Sequence, residues 1–599
     1  PRSAAAAAVH VLSAEDLHRS GARSLPDALR TVPGVHVARI AANQWAVSVR
    51  GFGGPFSNKL LVLRDGRTLY TPLFAGVFWD VQDLLFEDVE RVEVVRGPGG
   101  TLWGANAMNG VINVIMKSSA DTQGTHVVAG AGDYEQGHAT VIHGGRVGEA
   151  TFRVFAKYAE RDEYVLASGA GIDDGWSTLR TGFRVDGPLG DATRFMLGGH
   201  LYEQPKARAS VRLPVPGRHQ QFEQVAGNDD ISGAHLIARA EHAHGDGSQT
   251  TVQAYLDGTH RMTARFGAER NTIDLDVRHR RDLGARHQLA FGLEYNHTED
   301  DISNGPVLQF DPDERGWSTW NAYVQDTIAL GDDASVAIGT KLTHHEFTGL
   351  SWQPGIRASW TGFDDHTFWG AVSRPVRVPS RLEEDGLLVF SYVDTGLASG
   401  RPASGVFVPL GLSGNDRLEV EELVAWELGH RTRIGERLQL DSTVFYNDYH
   451  RLIGVPPAII GSFTDAGAGV TRGFDVSATF DATERWRLEG SFSRIDVEID
   501  GPILPFEETG TPKRMAQLRS YFDVSDSLEL TAAAYYVDEV PRIPVASYTR
   551  VDLGLMWRPR QGMELALFGQ NLLEGSHAEA SGAQVPRSWY AQMTLHFPD

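Results

Sequence analysis

From about Thr125 to its end the chain alternates apolar and polar residues, with little helical spacing. In "SWYAQMTLHF", Trp589, Ala591, Met593, Leu595 and Phe597 share one face, and Tyr590, Gln592, Thr594 and His596 share the other. "RWRLEGSF" and "RVDLGLMW" repeat the pattern. Successive strand side chains point to opposite faces, so this period builds a sheet with one apolar and one polar face. No run of about 18 apolar residues occurs, which excludes a transmembrane helix. A transmembrane β-barrel needs none, because only every second residue meets lipid.

Counting the alternating runs gives about 22 strands, the even number of a closed antiparallel barrel. Short turns such as "GDGS" (245–248), "GDDA" (331–334) and "RPRQG" (558–562) alternate with longer polar stretches at 164–177, 208–229, 302–314, 381–418 and 499–510. Trp486, Trp557 and Trp589 fall near strand ends, where an interfacial aromatic girdle would put them. Soluble sandwiches and propellers also alternate. Against them stand the absence of a 40–50-residue repeat and the Arg, Glu and Asp residues in mid-strand.

Residues 1–120 have another texture. Ser13 caps a helix start in "SAEDLHRSG"; Ser24 and Pro26 open a second in "SLPDALRTVPGV", which Pro33 and Gly34 stop. Strands "AVSVRG" and "KLLVLRDGRTLY" follow, the latter with Asp65-Gly66 as a type I′ hairpin turn. "DVQDLLFEDVERV" reads as a further helix-like turn. A barrel of about 22 strands is a wide hole unless something fills it. The expected organisation is a small mixed α/β plug over 1–120 and a barrel over 121–599.

Other features narrow the function. The chain has no cysteine, so no disulfide, thiolate metal site or cysteine nucleophile is available. The net charge of −22 argues against a nucleic-acid partner. No Walker A, GxSxG or HExxH motif occurs, nor any nucleophile–base arrangement, so an enzyme is not expected. "VVAGAGDYEQG" lacks the third glycine spacing and the helix of a dinucleotide site. His344 and His345 are strand neighbours and face opposite ways. The acidic stretch 296–316 offers oxygen ligands for Ca²⁺, but a solvated loop is the preferred reading, and no cofactor is expected. The opening "PRSAAAAAVHVLSAEDL" holds no leader-like core, so a signal peptide is expected to have been removed.

The stretch "VERVEVVRGPGGTLWGANAMNGVINVIMK" resembles the plug signature of TonB-dependent outer-membrane receptors, as do "LPDALRTVPGV", "VSVRGF" and "LLVLRDGRTLY". "LVAWELGHRTRIGERLQLDSTVFYNDYHRLI", "GVTRGFDVSATF", "LFGQNLLEG" and the aromatic last strand look like that family's barrel, so the resemblance covers essentially the whole chain. It implies a bacterial outer-membrane location. It also implies a monomer that meets lipid and lipopolysaccharide, and import driven by the TonB–ExbB–ExbD complex. The implied cargo is a scarce large nutrient: first a ferric siderophore, so that the ligand carries iron, with cobalamin or a glycan as alternatives. Haem is disfavoured, because "SRPVRVPS" and "GNDRLEVEEL" stand where haem receptors carry their motifs. A passive plugged barrel without TonB coupling is the competing reading; "RSAAAAAV" is no convincing TonB box.

By the same resemblance, ligand would meet two plug apices. One offers Asn43, Gln44 and Trp45; the other offers Tyr70, Thr71, Phe74, Phe78 and Trp79. The long stretch 381–418 is expected to be mobile and to close over ligand with Phe390, Tyr392 and Phe407. The resemblance also sets Arg50 and Arg96 of the plug against wall carboxylates at Glu427 and Asp475, holding the plug in place.

Overall fold

The computed structural model describes residues 6–54, 57–456, 461–501, 510–540, 545–580 and 582–598. The first half of "RSAAAAAV" and most of the stretch 499–510 lie outside the described residues.

The alternating part forms a closed barrel of 22 antiparallel wall strands. It closes where Ser588–Phe597 pairs with Met563–Gln570 on one side and Gly124–Gly132 on the other. The register is the one the alternation dictates. The Tyr590 hydroxyl donates to the Gly21 carbonyl of the plug at 2.6 Å, and Arg23 donates to Gln592 at 2.9 Å, so this face looks into the lumen. Trp589, Met593 and Phe597 stand exposed on the outer face.

At the rim holding Gly124 and Phe597 the connections span only two to five residues, from 148–149 to 561–562. Short turns mark the periplasmic rim and long connections the extracellular one.

Several extracellular stretches expected to be loops are built instead. Thr193–Pro214 runs beyond the wall and pairs with Phe222–Asn228 as a projecting ribbon over most of 208–229. The alternation of Val211 and Leu213 with Ser210 and Arg212 supports that ribbon; its polarity concealed it. In 381–418, Ser380 caps the helix Arg381–Asp385, and Gly386–Asp394 pairs with Phe407–Ser413. That hairpin joins Leu308–Phe310 and Gly461–Ser462 in a four-stranded sheet across the barrel mouth.

The plug sheet has the order Val9–Ser13, Val89–Arg96, Gly110–Met116, Leu60–Arg64, Arg67–Thr68. Its core residues Val62, Val92, Val94, Ile112 and Val114 are fully buried. Helices Ala14–Arg19 and Leu25–Leu29 start at Ser13 and Ser24 as expected. Asp65 and Gly66 both have positive φ, 51° and 86°, as a type I′ turn requires. The expected helix-like turn near 80–92 takes the form of two 3-10 turns, Trp79–Val81 and Phe86–Asp88, joined by an irregular link at 82–85. Its acidic side chains reach outward to the wall, which explains the irregular backbone: Asp83 pairs with Lys157 and Asp88 with Arg153, each at 2.7 Å.

Candidate ligand site and plug contacts

The apex at 41–45 is tied to the wall. The Ala42 N–H donates to Asp174 Oδ2 at 2.7 Å, and Trp176 Nε1 donates to the Ala42 carbonyl at 3.0 Å. Trp45, only 4% exposed, meets Trp176 edge to face at 6.5 Å, with the Arg39 and Arg161 guanidinium groups 5.4 and 5.9 Å from its ring. Trp45 therefore wedges plug against barrel, while Gln44 is exposed and Asn43 half-buried at the tip.

The second apex divides the same way. Tyr70, Thr71 and Trp79 are buried. Phe74 and Phe78 are half-buried and meet edge to face at 4.8 Å. The Arg261 guanidinium sits 4.1 Å from the Phe78 ring and pairs with Asp80 at 2.7 Å. An aromatic pair backed by a cation suits a flat or electron-rich ligand.

Over this apex lies the 381–418 segment. The Arg381 and Leu382 N–H groups donate to the Pro72 and Leu73 carbonyls at 2.9 and 3.0 Å. Leu382 and Leu388 join Leu73, Phe74 and Phe78 in one apolar cluster. The segment is thus docked on the plug. A bulge between Val389 and Ser391 turns Phe390 outward, 45% exposed. The Tyr392 carbonyl accepts from the Gln220 N–H of the projecting ribbon, and Phe407 is half-buried at the far end of the hairpin. Leu382 and Leu388, which sequence reasoning did not single out, are the segment's residues against the aromatic apex.

Buried charge fixes the docked segment. Arg377, fully buried, pairs with Glu421 at 2.7 Å and Glu383 at 2.9 Å, and Lys59 of the plug reaches the same Glu421 at 2.6 Å. Arg381, also fully buried, binds Asp300 at 3.2 Å and Asp385. Asp300, in the acidic stretch 296–316, is thereby an arginine partner. Burial, reinforced by Asp385, Asp416 and Glu383 against the opposing pull of Arg315, pushes the Glu384 carboxyl up to about 7.

The four plug–wall residues sit close together in pairs. Arg50 reaches Glu427 at 2.8 Å, and its guanidinium lies 4.4 Å from the Phe445 ring. Arg96 reaches Asp475 at 3.5 Å and donates to the Pro33 carbonyl at 3.3 Å. The shorter Asp475 makes the longer contact. Gly97 explains part of the glycine-rich stretch: a Cβ there would lie 2.4 Å from Glu427 Oε1 and 2.7 Å from the Arg50 guanidinium, at a φ of 135°. A wider ionic belt also escaped sequence reasoning, including Arg30 with Glu579 and Arg67 with Asp257. Asp27 sits between Arg39 and Arg30. Burial alone would raise its carboxyl, but the two cations hold it well below the usual range. The available signal was charge at lumen-facing positions of the barrel, matched by charge of the opposite sign on the plug.

A family model described as "TonB dependent receptor-like, beta-barrel" matches residues 151–572, and one described as "TonB-dependent Receptor Plug Domain" matches residues 1–111. The chain is 26% identical over 471 residues to an iron-regulated outer membrane virulence protein of Vibrio cholerae, covering 74% of this chain and 66% of that relative. It therefore spans slightly less than two thirds of that relative's length. It is 24% identical over 528 residues to the ferric enterobactin receptor PirA of Pseudomonas aeruginosa, covering 76% and 69% of the two chains. Among solved structures, the siderophore receptor PirA of Acinetobacter baumannii superposes with a TM-score of 0.79 at 16% identity, covering 98% of both chains. PirA of Pseudomonas aeruginosa gives 0.73 at 19% identity, covering 98% of this chain and 99% of that one. At such identities the superpositions speak for the fold.

Proposed function

As the chain belongs to the TonB-dependent receptor family, a family of the bacterial outer membrane, we propose that it imports a ferric siderophore, powered from the inner membrane through TonB. The observation that carries this reading is the aromatic apex. Phe74, Phe78 and the Arg261 guanidinium form a stacking surface at the extracellular face of the plug, beneath a segment that must lift for ligand to reach it. Relatives named as a ferric enterobactin receptor and an iron-regulated outer membrane protein support the same cargo class. No chemistry on the ligand is required: the site binds, and the plug yields. The wall–plug ion pairs hold the passage shut until force is applied.

The test is iron uptake. A siderophore-deficient host lacking its own receptors is given this chain and radioiron chelated by catecholate, hydroxamate or carboxylate siderophores, with cyanocobalamin as a separate arm. Uptake of at least one ferric chelate, abolished by deleting TonB, is expected. Uptake of cyanocobalamin alone, or transport indifferent to TonB, would overturn the proposal.

A further inference from the structure

Beneath the aromatic apex, whose Phe78 and Arg261 line its upper end, a pocket lies between the plug and the wall. It is framed by Arg64 and Arg67 on either side of the Asp65-Gly66 turn, by Arg180 of the wall strand Trp176–Pro188, and by His200 and His235 of the next two wall strands. Five arginines line this pocket against two aspartates; one of the five, Arg261, is paired with Asp80 at 2.7 Å. Both aspartates are engaged: Asp257 binds Arg67 at 2.5 Å and Arg270 at 3.2 Å, and Asp300 binds Arg381.

Arg64 is buried, and among the described residues no carboxylate lies within ion-pair distance of it. Its guanidinium instead faces the His200 ring, with nitrogen contacts of 2.8 and 2.9 Å; His235 stacks on that ring at 4.8 Å. Arg180 is buried as well. Among the described residues its one carboxylate within ion-pair distance, Asp83, stands 4.0 Å away and is held by Lys157 at 2.7 Å; its Nη2 donates to the Val81 carbonyl, and its Nε has no hydrogen-bond partner. A buried cation without an anionic partner is costly, and a native fold that keeps one needs a reason. Burial, with Arg67 alongside, also pulls the Arg64 guanidinium down from its ordinary value, the direction of a cation short of negative partners.

We propose that this pocket binds a small oxyanion, a phosphate or carboxylate group, with Arg64 and Arg180 as its principal donors and the His200 and His235 rings as its floor. Two guanidinium groups from opposite walls suit an anion with several oxygens, because each can donate two hydrogen bonds. The donors come from both plug and wall, so a bound anion would also cross-link the two. The assignment does not depend on which nutrient crosses the apex.

The test uses the full-length receptor in detergent, titrated calorimetrically with inorganic phosphate and separately with acetate. One saturable site is expected, with affinity at least about tenfold lower in Arg64→Gln and Arg180→Gln and unchanged in Arg281→Gln at an exposed periplasmic end. Tighter phosphate binding would identify a free or ligand-borne phosphate; tighter acetate binding, a carboxylate. If a variant fails to assemble, wild-type crystals soaked in selenate decide the matter by an anomalous peak between Arg64 and Arg180. No saturable binding of either anion, equal binding in both variants, or selenate peaks only elsewhere would overturn the proposal. Iron uptake plays no part in this readout, so its outcome is separate from that of the transport test.

Discussion

The Arg50 guanidinium lies 2.8 Å from the Glu427 carboxylate, and each side chain is 2% exposed. Arg50 holds this contact from a φ of 54°, followed by Gly51 at 97° and Phe52 at 55°. Two non-glycine residues in the left-handed region are a backbone cost, and it is offset where the surrounding contacts over-determine them.

Glu427→Ala leaves Arg50 buried and unpaired, a loss of about 3–5 kcal/mol. The plug should loosen, seen as raised sensitivity to antibiotics too large for porins and as larger conductance in planar bilayers. Gly97→Ala should act in the same direction by driving a methyl group into the pair. Unchanged conductance in both variants would remove the pair from the plug's anchoring.

Depth in the membrane should scale the cost of lipid-facing charge. Leu428, 65% exposed, lies mid-strand in Glu421–Ile434. Leu595 instead pairs with Met563, directly after the periplasmic turn at 561–562. Leu428→Arg should cost about 2–4 kcal/mol and Leu595→Arg about 0–1 kcal/mol. Urea unfolding in lipid vesicles measures both, and the reverse order would contradict the assigned rim.

The aromatic residues of the two apices should separate by role. Phe78→Ala should weaken ligand binding about tenfold, through the lost stacking and cation contacts, while leaving barrel yield intact. Trp45→Ala should cost about 3–5 kcal/mol of stability through the cavity it opens. Binding by fluorescence quenching and unfolding by circular dichroism distinguish the two. Equal effects of both variants on both readouts would dissolve the distinction.

Docking of the 381–418 segment should depend on pH. The docked state raises the Glu384 carboxyl from 4.5 to about 7. The docked state therefore holds a proton that the free segment releases, so docking is firmest below pH ~4.5 and weakens as pH rises through ~7. Hydrogen exchange across 381–394, corrected for intrinsic rate, should be slower at about pH 5 than at about pH 8. Glu384→Gln should flatten the difference. A steeper dependence in that variant would place the titrating group elsewhere.

The barrel was legible because period two is a local property: each run such as "SWYAQMTLHF" declares its lipid face without reference to the rest of the chain. The same locality hid the ribbon at 208–228 and the sheet within 386–413, whose alternation is broken by the bulge at Phe390 and diluted by polar residues. At the site, aromatic residues could be read from the sequence, but their burial could not. Trp45 faces Trp176, which lies 131 positions along the chain, and no local pattern reports that contact. Charged partners such as Asp88 and Arg153 are likewise joined only by the closure of the wall around the plug.

The four-stranded sheet at the mouth draws on connections from three different hairpins: 304–313, 378–420 and 455–463. Segments that share a sheet exchange their hydrogen bonds together, so the entropy of ordering them is lost or regained as a unit. The mouth should therefore open cooperatively, and access to the apex should switch between two states instead of widening by degrees. A substitution in any one of the three connections would shift the balance for all of them.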